Sequence, residues 1–295
     1  MTIAATTTPT DEEIQLLNEL LVEYSGLAIT EHRRNAVLRY VCERLEQLNL
    51  SSVTEYCRCL RFSTRARIDL NALVQLLTVN ETYFFREAYQ FQNLFGGSLL
   101  PPPSAGPRSI RILSAGCSSG EEPYSLSIFA QEAGYRTSMA DLSIDGFDIH
   151  PDRIAIAQEG RYRRNSLRAF DEEKADRYFD PAEDEMVAVK RRYRSGLRFS
   201  VGNVLDLSTY PDGGIYDAIF CRNVFIYFTE RSLRTAIANF ACCLKPGGAL
   251  FLGHSESIIG LTDDFRPARV GNHIIYRRTE RLSGRSLATA WGLLG

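Results

Sequence analysis

The sequence predicts an α/β fold in which a small all-helical N-terminal domain precedes a domain built on a mostly parallel sheet. Two observations favour this fold. Apolar residues recur at helical spacing almost throughout residues 11–95, whereas short apolar runs alternate with helical segments beyond residue 107. Between the two parts, glycines and prolines break any helix. We therefore predict a helical domain over residues 1–95, a linker over 96–107, a sheet domain over 108–279 and a tail over 280–295.

The helical domain is predicted from three groups of apolar residues at helical spacing, which is typical of a small bundle. These groups are Ile14, Leu17, Leu20 and Leu21; Val37, Leu38, Val41, Leu45 and Leu48; and Ile68, Leu70, Leu73, Leu76 and Leu77. In the sheet domain, apolar runs predict strands at residues 109–114, 143–148, 197–201, 216–221, 248–253 and 272–277. We expect the last two strands to contain an antiparallel element.

Composition argues against several classes of protein. The 295 residues suffice for two cores, and a net charge of −2 with 44% apolar residues gives no sign of a nucleic-acid-binding or disordered chain. No apolar run approaches the ~18 residues of a membrane span, and the first ten residues do not resemble a signal peptide. Seven cysteines, an odd number, match neither a disulfide framework nor metal-ligand spacing. We therefore expect a cytoplasmic protein with reduced thiols and no metal site.

A glycine turn follows the first predicted strand, in the segment AGCSSGEEPYS of residues 115–125. Pro123 near the start of the following helix costs no hydrogen bond, because the first helical N–H groups have no partner within the helix. Gly116 and Gly120 would let the backbone approach a ligand closely, as in dinucleotide sites. The alternative is an ordinary turn between a strand and a helix.

The charges in this turn indicate the kind of ligand. The turn contains no lysine and leads into Glu121 and Glu122, which would repel a pyrophosphate. One carboxylate is expected to cap the helix, where the helix dipole stabilises it. The other can bind a neutral or cationic ligand, and the amine and sulfonium of S-adenosylmethionine suit it. Asp148, at the tip of the second strand, occupies the position where a ribose diol is normally bound.

Four segments together resemble one known family, the CheR family of chemotaxis-receptor glutamate methyltransferases. They are NETYFFRE at residues 80–87, AGCSSGEEPYS at 115–125, CRNVFIYF at 221–228 and LKPGGALFLGHSES at 244–257. The resemblance implies an S-adenosylmethionine-dependent methyltransferase (Rossmann-like) sheet domain. It also implies methyl transfer to glutamates of chemoreceptors, which are methyl-accepting chemotaxis proteins, by a cytoplasmic monomer. A small-molecule or other protein methyltransferase and a non-catalytic signalling adaptor are the alternatives.

The resemblance assigns two residues to the catalytic site. Arg86 matches the arginine of the FFR motif, and its guanidinium can hold a glutamate carboxylate through two hydrogen bonds. Tyr227 would lie beside the transferring methyl group, although a core tyrosine with a satisfied hydroxyl is the alternative. We expect Phe84 and Phe85 to be core residues or the wall of the cofactor pocket.

The resemblance and the strand pattern together predict the residues that bind the cofactor. Asn203 is expected to read the adenine, and Val204, which stands where the family has leucine, to pack on its ring. Asn80 and Thr82 match cofactor contacts, with helix capping as the alternative for either. The predicted cofactor-binding set is Asn80, Thr82, Arg86, Ala115, Gly116, Glu122, Asp148, Asn203, Val204, Arg222 and Asn223.

Recognition of the receptor is predicted from charge. The helical domain carries Arg33, Arg34, Arg39, Arg44, Arg58, Arg61, Arg65 and Arg67, which would attract glutamate-rich receptor helices if they do not simply form a solvated face. Many family members also grip a receptor's C-terminal peptide with a small β excursion. The corresponding residues 179–199 are short and charged and contain a single glycine, so we expect no C-terminal peptide tether.

Overall fold

The computed structural model describes residues 9–63, 66–78, 81–96, 99–100, 102, 108–135, 140–210 and 215–280. Its helices are α1 Asp11–Ser25, α2 Glu31–Leu48, α3 Val53–Phe62, α4 Ala66–Leu77, α5 Ala88–Phe95, α6 Glu121–Glu132, α7 Pro151–Glu159, α8 Glu172–Tyr178 and α9 Glu230–Cys243. Its strands are β1 Arg108–Ala115, β2 Ala140–Asp148, β3 Arg161–Arg163, β4 Phe179–Pro181, β5 Met186–Val189, β6 Leu197–Val201, β7 Tyr216–Cys221, β8 Leu244–Leu252, β9 Phe265–Val270 and β10 His273–Arg278. Within these described ranges, no helix is long and apolar enough to cross a membrane.

The chain divides into two compact units, Met1–Asn80 with Tyr227–Leu233 and Glu81–Ile226 with Arg234–Gly295. The first unit is the predicted helical bundle, and α1 begins with a capping box in which Thr10 and Glu13 each accept the other's N–H. Leu48 and Ile68, predicted on apolar faces, are exposed by 41% and 71%. Both lie in a terminal turn of their helix, which neighbouring helices cover less than its middle. The fully buried core contains Leu17, Leu21, Val37, Val41, Tyr56, Leu73 and Val74.

Residues Tyr227–Leu233 belong to this first unit although they are distant from it in sequence. Leu27 and Phe228 form an antiparallel bridge, and the Thr229 N–H donates to the Gly26 carbonyl at 3.2 Å. Gly26 adopts φ 81°, a left-handed conformation that glycine tolerates without strain. Apolar periodicity could not predict this return of the chain, because a single bridge leaves no repeating pattern.

The second unit is built on a seven-stranded sheet with the order β6-β2-β1-β7-β8-β10-β9. The first five strands in this order, β6, β2, β1, β7 and β8, are parallel to one another. Strand β10 is antiparallel to both β8 and β9. All six predicted strands are present, and the expected antiparallel element is confirmed in β10. Strand β9 was not predicted. Most of its residues are exposed or half-buried, and it contains Pro267, which is tolerated because β9 is the edge of the sheet.

The boundary between the units differs from the predicted domain boundary. It falls between Asn80 and Glu81 rather than after residue 95, because α5 belongs to the core of the second unit. Phe91 and Leu94 of α5 are fully buried in one cluster with Ile112 of β1 and Phe220 of β7. Helical periodicity identifies α5 as a helix but does not say which core it joins. Most of the predicted linker, and residues 281–295 of the predicted tail, lie outside the described residues.

A second, three-stranded antiparallel sheet has the order β3-β5-β4. Two of its strands fall in the stretch of residues 179–199, where the sequence was expected to lack a peptide-gripping excursion. The sheet covers an aromatic cluster that includes Phe84, Tyr162 and Phe179, with Phe84 in edge contacts to both other rings. This stretch therefore supports the residues that precede Arg86, and whether it also binds a peptide stays a prediction.

A half-buried carboxylate connects four strands of the main sheet. Asp145 of β2 accepts two hydrogen bonds from Arg198 of β6, at 2.7 and 3.1 Å, and one from the Tyr216 hydroxyl of β7 at 2.9 Å. Arg111 of β1 lies 3.2 Å from the same carboxylate. Burial raises the pKa of Asp145, but these donors outweigh burial and hold the pKa below its usual value.

We predict that Asp145→Asn lowers the free energy of unfolding by about 1.5–3 kcal/mol near neutral pH, because charge-assisted hydrogen bonds are lost. A carboxyl group with a lowered folded-state pKa stabilises above its unfolded pKa of about 4 and loses that contribution as pH falls through the folded value. The difference between the two proteins should therefore be constant from about pH 6 to 8 and shrink below about pH 4. Urea denaturation across pH measures it, with Asp176→Asn, an exposed residue, as control.

Candidate active site

The glycine turn between β1 and α6 is fixed by packing on both sides. Gly116 and Gly120 adopt φ of 75° and 91°, which disfavour any residue with a Cβ. A Cβ at Gly116 would lie 2.6 Å from Cγ2 of Val224, and a Cβ at Gly120 would lie 2.7 Å from Cβ of Ala157. The turn therefore requires glycine for close packing of its neighbours.

Asp148 at the end of β2 braces this turn. Its Oδ2 accepts the Ser118 N–H at 2.8 Å, and its Oδ1 accepts the His150 N–H at 3.0 Å. The residue is 7% exposed, and burial raises its pKa above the usual value although these donors act in the opposite direction. Each carboxylate oxygen can accept a further hydrogen bond. The remaining acceptor capacity of Asp148 thus suits the two hydroxyl donors of a ribose diol at the tip of β2.

The two glutamates at the start of α6 do not include the helix cap that was predicted for one of them, and the predicted contact of Glu122 with the cofactor stays a prediction. Neither caps the helix through its side chain, since Gly120 occupies the cap position and no side-chain bond closes it. Glu121 is 2% exposed and accepts hydrogen bonds from the hydroxyls of Ser119 and Ser166, while burial raises its pKa. The Glu122 carboxylate accepts from the Ser114 hydroxyl at 2.7 Å and pairs with Arg222.

Arg222 lies at the end of β7 and joins three segments of the site. Its side chain is 4% exposed, and it donates one hydrogen bond to Glu122 and another, of 2.7 Å, to the Arg86 carbonyl. A carboxylate oxygen of Glu87 lies 3.7 Å away, and the Phe91 ring packs 5.0 Å from the guanidinium. Arg222 therefore links α6, β7 and the residues before α5. Its predicted contact with the cofactor stays a prediction.

Arg86 lies in a turn with a strained backbone. Phe85 and Glu87, on either side of it, adopt left-handed φ of 62° and 52°, which cost about 1–3 kcal/mol each for residues other than glycine. The Phe85 N–H donates to the Ser125 hydroxyl at 3.0 Å, which fixes one side of the turn. The Glu87 carboxylate fixes the other by accepting from Gln90 and by pairing with His254 at 3.1 Å.

The Arg86 side chain keeps its charge available. It donates to the Glu81 carbonyl at 3.0 Å, and among the described residues it has no ion-pair partner. The fixed turn and the unpaired charge together make Arg86 suitable for holding a carboxylate. Thr82, four residues earlier, is half-buried. Asn80 lies outside the described residues, and Tyr227 belongs to the first unit, so the active-site assignments of both stay predictions.

Two further turns at the carboxyl ends of strands contain predicted cofactor contacts. After β6, the Asn203 side-chain oxygen accepts the Leu205 N–H at 3.0 Å, and the Val204 carbonyl accepts from Tyr210 and Asn239. Val204 is 7% exposed, so only a small part of its side chain is open to a ring. After β7, Asn223 is half-buried and adopts φ of 60°.

Sequence reasoning assigned no role to most of the residues that hold these segments in place. Ser125 and Ser166 fix the backbone before Arg86, and Glu87, His254 and Glu256 fix neighbouring loops. All but Ser166 stand inside the motif segments already singled out. Their inclusion in those segments was a usable signal, but the partners lie too far apart in sequence for any spacing rule to pair them.

The chain is similar to characterised families over most of its length. Residues 80–274 match the family described as CheR methyltransferase, SAM binding domain. Chemotaxis protein methyltransferase 2 of Vibrio cholerae is 33% identical over 261 residues, which are 88% of this chain and 90% of the relative. Chemotaxis protein methyltransferase 1 of Pseudomonas aeruginosa is 33% identical over 272 residues, with 90% and 97% covered. A probable biofilm formation methyltransferase of Pseudomonas putida is 36% identical over 212 residues, which are 71% of this chain and 49% of the relative.

We predict that Asp148→Asn weakens binding of S-adenosylhomocysteine about 10- to 100-fold, since one charged hydrogen-bonding group is worth about 1.5–3 kcal/mol. Isothermal titration calorimetry measures the affinity, and thermal unfolding checks that the fold persists. Asp152→Asn, an exposed carboxylate in the following helix, is the matched control and should bind normally. Unchanged affinity in Asp148→Asn would place the ribose elsewhere.

Proposed function

The chain belongs to the CheR methyltransferase family and binds S-adenosylmethionine, and we propose that it methylates glutamate side chains of chemoreceptors. Methylation would form glutamyl methyl esters in the cytoplasm, on receptors whose signalling equilibrium depends on the lost charges. The observation that carries the proposal is Arg86. The backbone carbonyl of Arg86 accepts a hydrogen bond from the buried Arg222, which fixes the turn. The guanidinium of Arg86 donates to the Glu81 carbonyl and lacks an ion-pair partner among the described residues.

The chemistry requires orientation rather than proton transfer. S-adenosylmethionine supplies an electrophilic methyl group on a sulfonium. A glutamate carboxylate is already ionised at neutral pH, so no general base is needed to activate it. Arg86 would hold this carboxylate through parallel hydrogen bonds and present one oxygen to the methyl group. Positioning of this kind can contribute about 7–11 kcal/mol to catalysis.

The same proposal assigns the remaining site residues. Asp148 would accept hydrogen bonds from the ribose hydroxyls, and Glu122 would face the positively charged part of the cofactor. Asn203 would bind the adenine with Val204 beside its ring. The other proposed contacts are Asn80, Thr82, Ala115, Gly116, Arg222 and Asn223, with Tyr227 beside the methyl group.

Methyl ester formation is directly testable. Incubation with radiolabelled S-adenosylmethionine and receptor-containing membranes from the same cells should label a receptor-sized protein. The label should be released as volatile methanol by mild base, because carboxylate esters hydrolyse there and methylated amines do not. A base-stable label, or a label only on small molecules, would contradict glutamate methylation.

Arg86→Ala is the variant control for this experiment. Loss of one preorganised group that binds the reacting substrate should lower kcat about 100-fold. Affinity for S-adenosylhomocysteine should change much less, and Arg86→Lys should recover part of the rate because it keeps the charge. Normal turnover at saturating cofactor, together with lost cofactor affinity, would instead assign Arg86 to the cofactor.

Docking on the receptor would depend on fewer arginines than the sequence suggested. Three of the eight form ion pairs, Arg34 with Asp11, Arg44 with Asp69 and Arg61 with Glu23. Arg67 contacts Tyr24, and Arg65 lies outside the described residues. Arg33, Arg39 and Arg58 remain without an ion pair in the part of the chain that the structure describes. These three would attract glutamate-rich receptor helices, without a C-terminal peptide tether.

We predict that combining Arg33→Glu, Arg39→Glu and Arg58→Glu raises the KM for receptor about tenfold and leaves the KM for S-adenosylmethionine unchanged. Added salt should weaken the wild type in the same way, since exposed charges are screened beyond about 8 Å at physiological ionic strength. Arg266→Glu, on the exposed edge strand β9, controls for charge reversal outside the first unit. Deleting the receptor's C-terminal tail should barely change the rate. A large loss on tail deletion with little salt dependence would contradict this mode of docking.

A further inference from the structure

Glu256 occupies an unusual position in the loop after β8. Its Oε2 accepts the N–H groups of Gly253 at 2.7 Å and Asn223 at 2.9 Å. Its Oε1 accepts the N–H groups of Phe225 at 2.7 Å and Ile226 at 3.2 Å. A single carboxylate thus satisfies four backbone donors from two loops, those that follow β7 and β8.

The geometry of this cluster requires a carboxylate. Each carboxylate oxygen of Glu256 accepts hydrogen bonds from two N–H groups. Only the ionised acid can accept two such bonds on both of its oxygens. An amide would turn its own NH2 toward two of the donors. Close approach is also needed, because a Cβ at Gly253 would lie 2.9 Å from both Nδ2 of Asn223 and Oε2 of Glu256. Glycine at residue 253 and glutamate at residue 256 therefore form one unit.

The loop of residues 223–226, which Glu256 holds, contacts the glycine turn between β1 and α6 directly. Val224 lies between the bonded residues Asn223 and Phe225, and its Cγ2 packs against Gly116 of the turn after β1. Arg222, the residue before this loop, pairs with Glu122 at the start of α6. A shift of residues 223–226 would therefore move both the Asn223 side chain and the wall against Gly116.

We propose that Glu256 is a positioning residue for the cofactor site. Its carboxylate fixes the loop of residues 223–226 and thereby places Asn223 and Val224 beside the glycine turn. It acts through backbone N–H groups and does not itself touch the cofactor. This role rests on the proposed contact of Asn223 with the cofactor, and it does not depend on which substrate accepts the methyl group.

Glu256→Gln tests the role with nearly unchanged side-chain volume. Deuterium exchange of a peptide covering residues 222–227 should become about tenfold faster, whereas exchange in α1 and β1 should not change. The Kd for S-adenosylhomocysteine and the KM for S-adenosylmethionine should rise about tenfold, as when a supporting group of a binding site is lost. At saturating cofactor, kcat should fall by no more than about threefold. Asp263→Asn removes an exposed carboxylate from the same connection and should change none of these quantities.

Gly253→Ala is the second variant and keeps the carboxylate. Its Cβ would intrude on Asn223 and Glu256, so it should reproduce the faster exchange and the weaker cofactor binding. Unchanged deuterium exchange of residues 222–227 in both variants would contradict the proposal that Glu256 fixes this loop. Faster exchange with an unchanged Kd would contradict the role of Glu256 in cofactor binding. Deuterium exchange and titration need no receptor, so failure of glutamate methylation would leave this test intact. Normal S-adenosylhomocysteine binding by Asn223→Ala would remove the contact on which this role rests and would also overturn the role.

Discussion

The site depends on the interactions of one buried group, the guanidinium of Arg222. It bonds to the Glu122 carboxylate and to the Arg86 carbonyl, with Glu87 nearby, and only 4% of its side chain is exposed. A buried ion pair adds little stability compared with an apolar core, but removing one partner leaves an uncompensated charge and is costly. The segments that meet at Arg222 are therefore constrained to stay together. In this way β7, α6 and the turn around Arg86 form one rigid arrangement.

The strain around Arg86 can persist because its surroundings are fixed. Two left-handed residues other than glycine, Phe85 and Glu87, flank Arg86, and Phe84 just before them is fully buried among aromatic rings. Hydrogen bonds from Phe84 to the Ser166 carbonyl and from Phe85 to the Ser125 hydroxyl hold the backbone there. Such strain is tolerated only where surrounding contacts determine the conformation. The result is a cationic side chain with little conformational freedom at its root, which favours orientation of a substrate.

Four carboxylates of the second unit hold its backbone and other side chains in place. Glu121 is bonded to serine hydroxyls, Glu122 to Arg222, Asp148 to two N–H groups and Glu256 to four. These hydrogen bonds and the ion pair offset part of each negative charge, which lowers the repulsion that a substrate carboxylate would meet. A site of this kind suits a nucleophile that arrives ionised and a cofactor that carries a positive charge. It has no need for a proton acceptor.

Local patterns in the sequence determined the elements of the fold, and long-range contacts determined how they combine. The bundle helices and six strands were predictable because the burial of neighbouring residues repeats with the period of each element. The glycine turn and Asp148 were predictable because a strand ends at each of them. The unit that α5 joins, the edge strand β9 and the pairing of Glu122 with Arg222, 100 residues away, were not. Only the tertiary structure decided them, because a side chain's partners across a sheet depend on strand order and register, which no local spacing encodes.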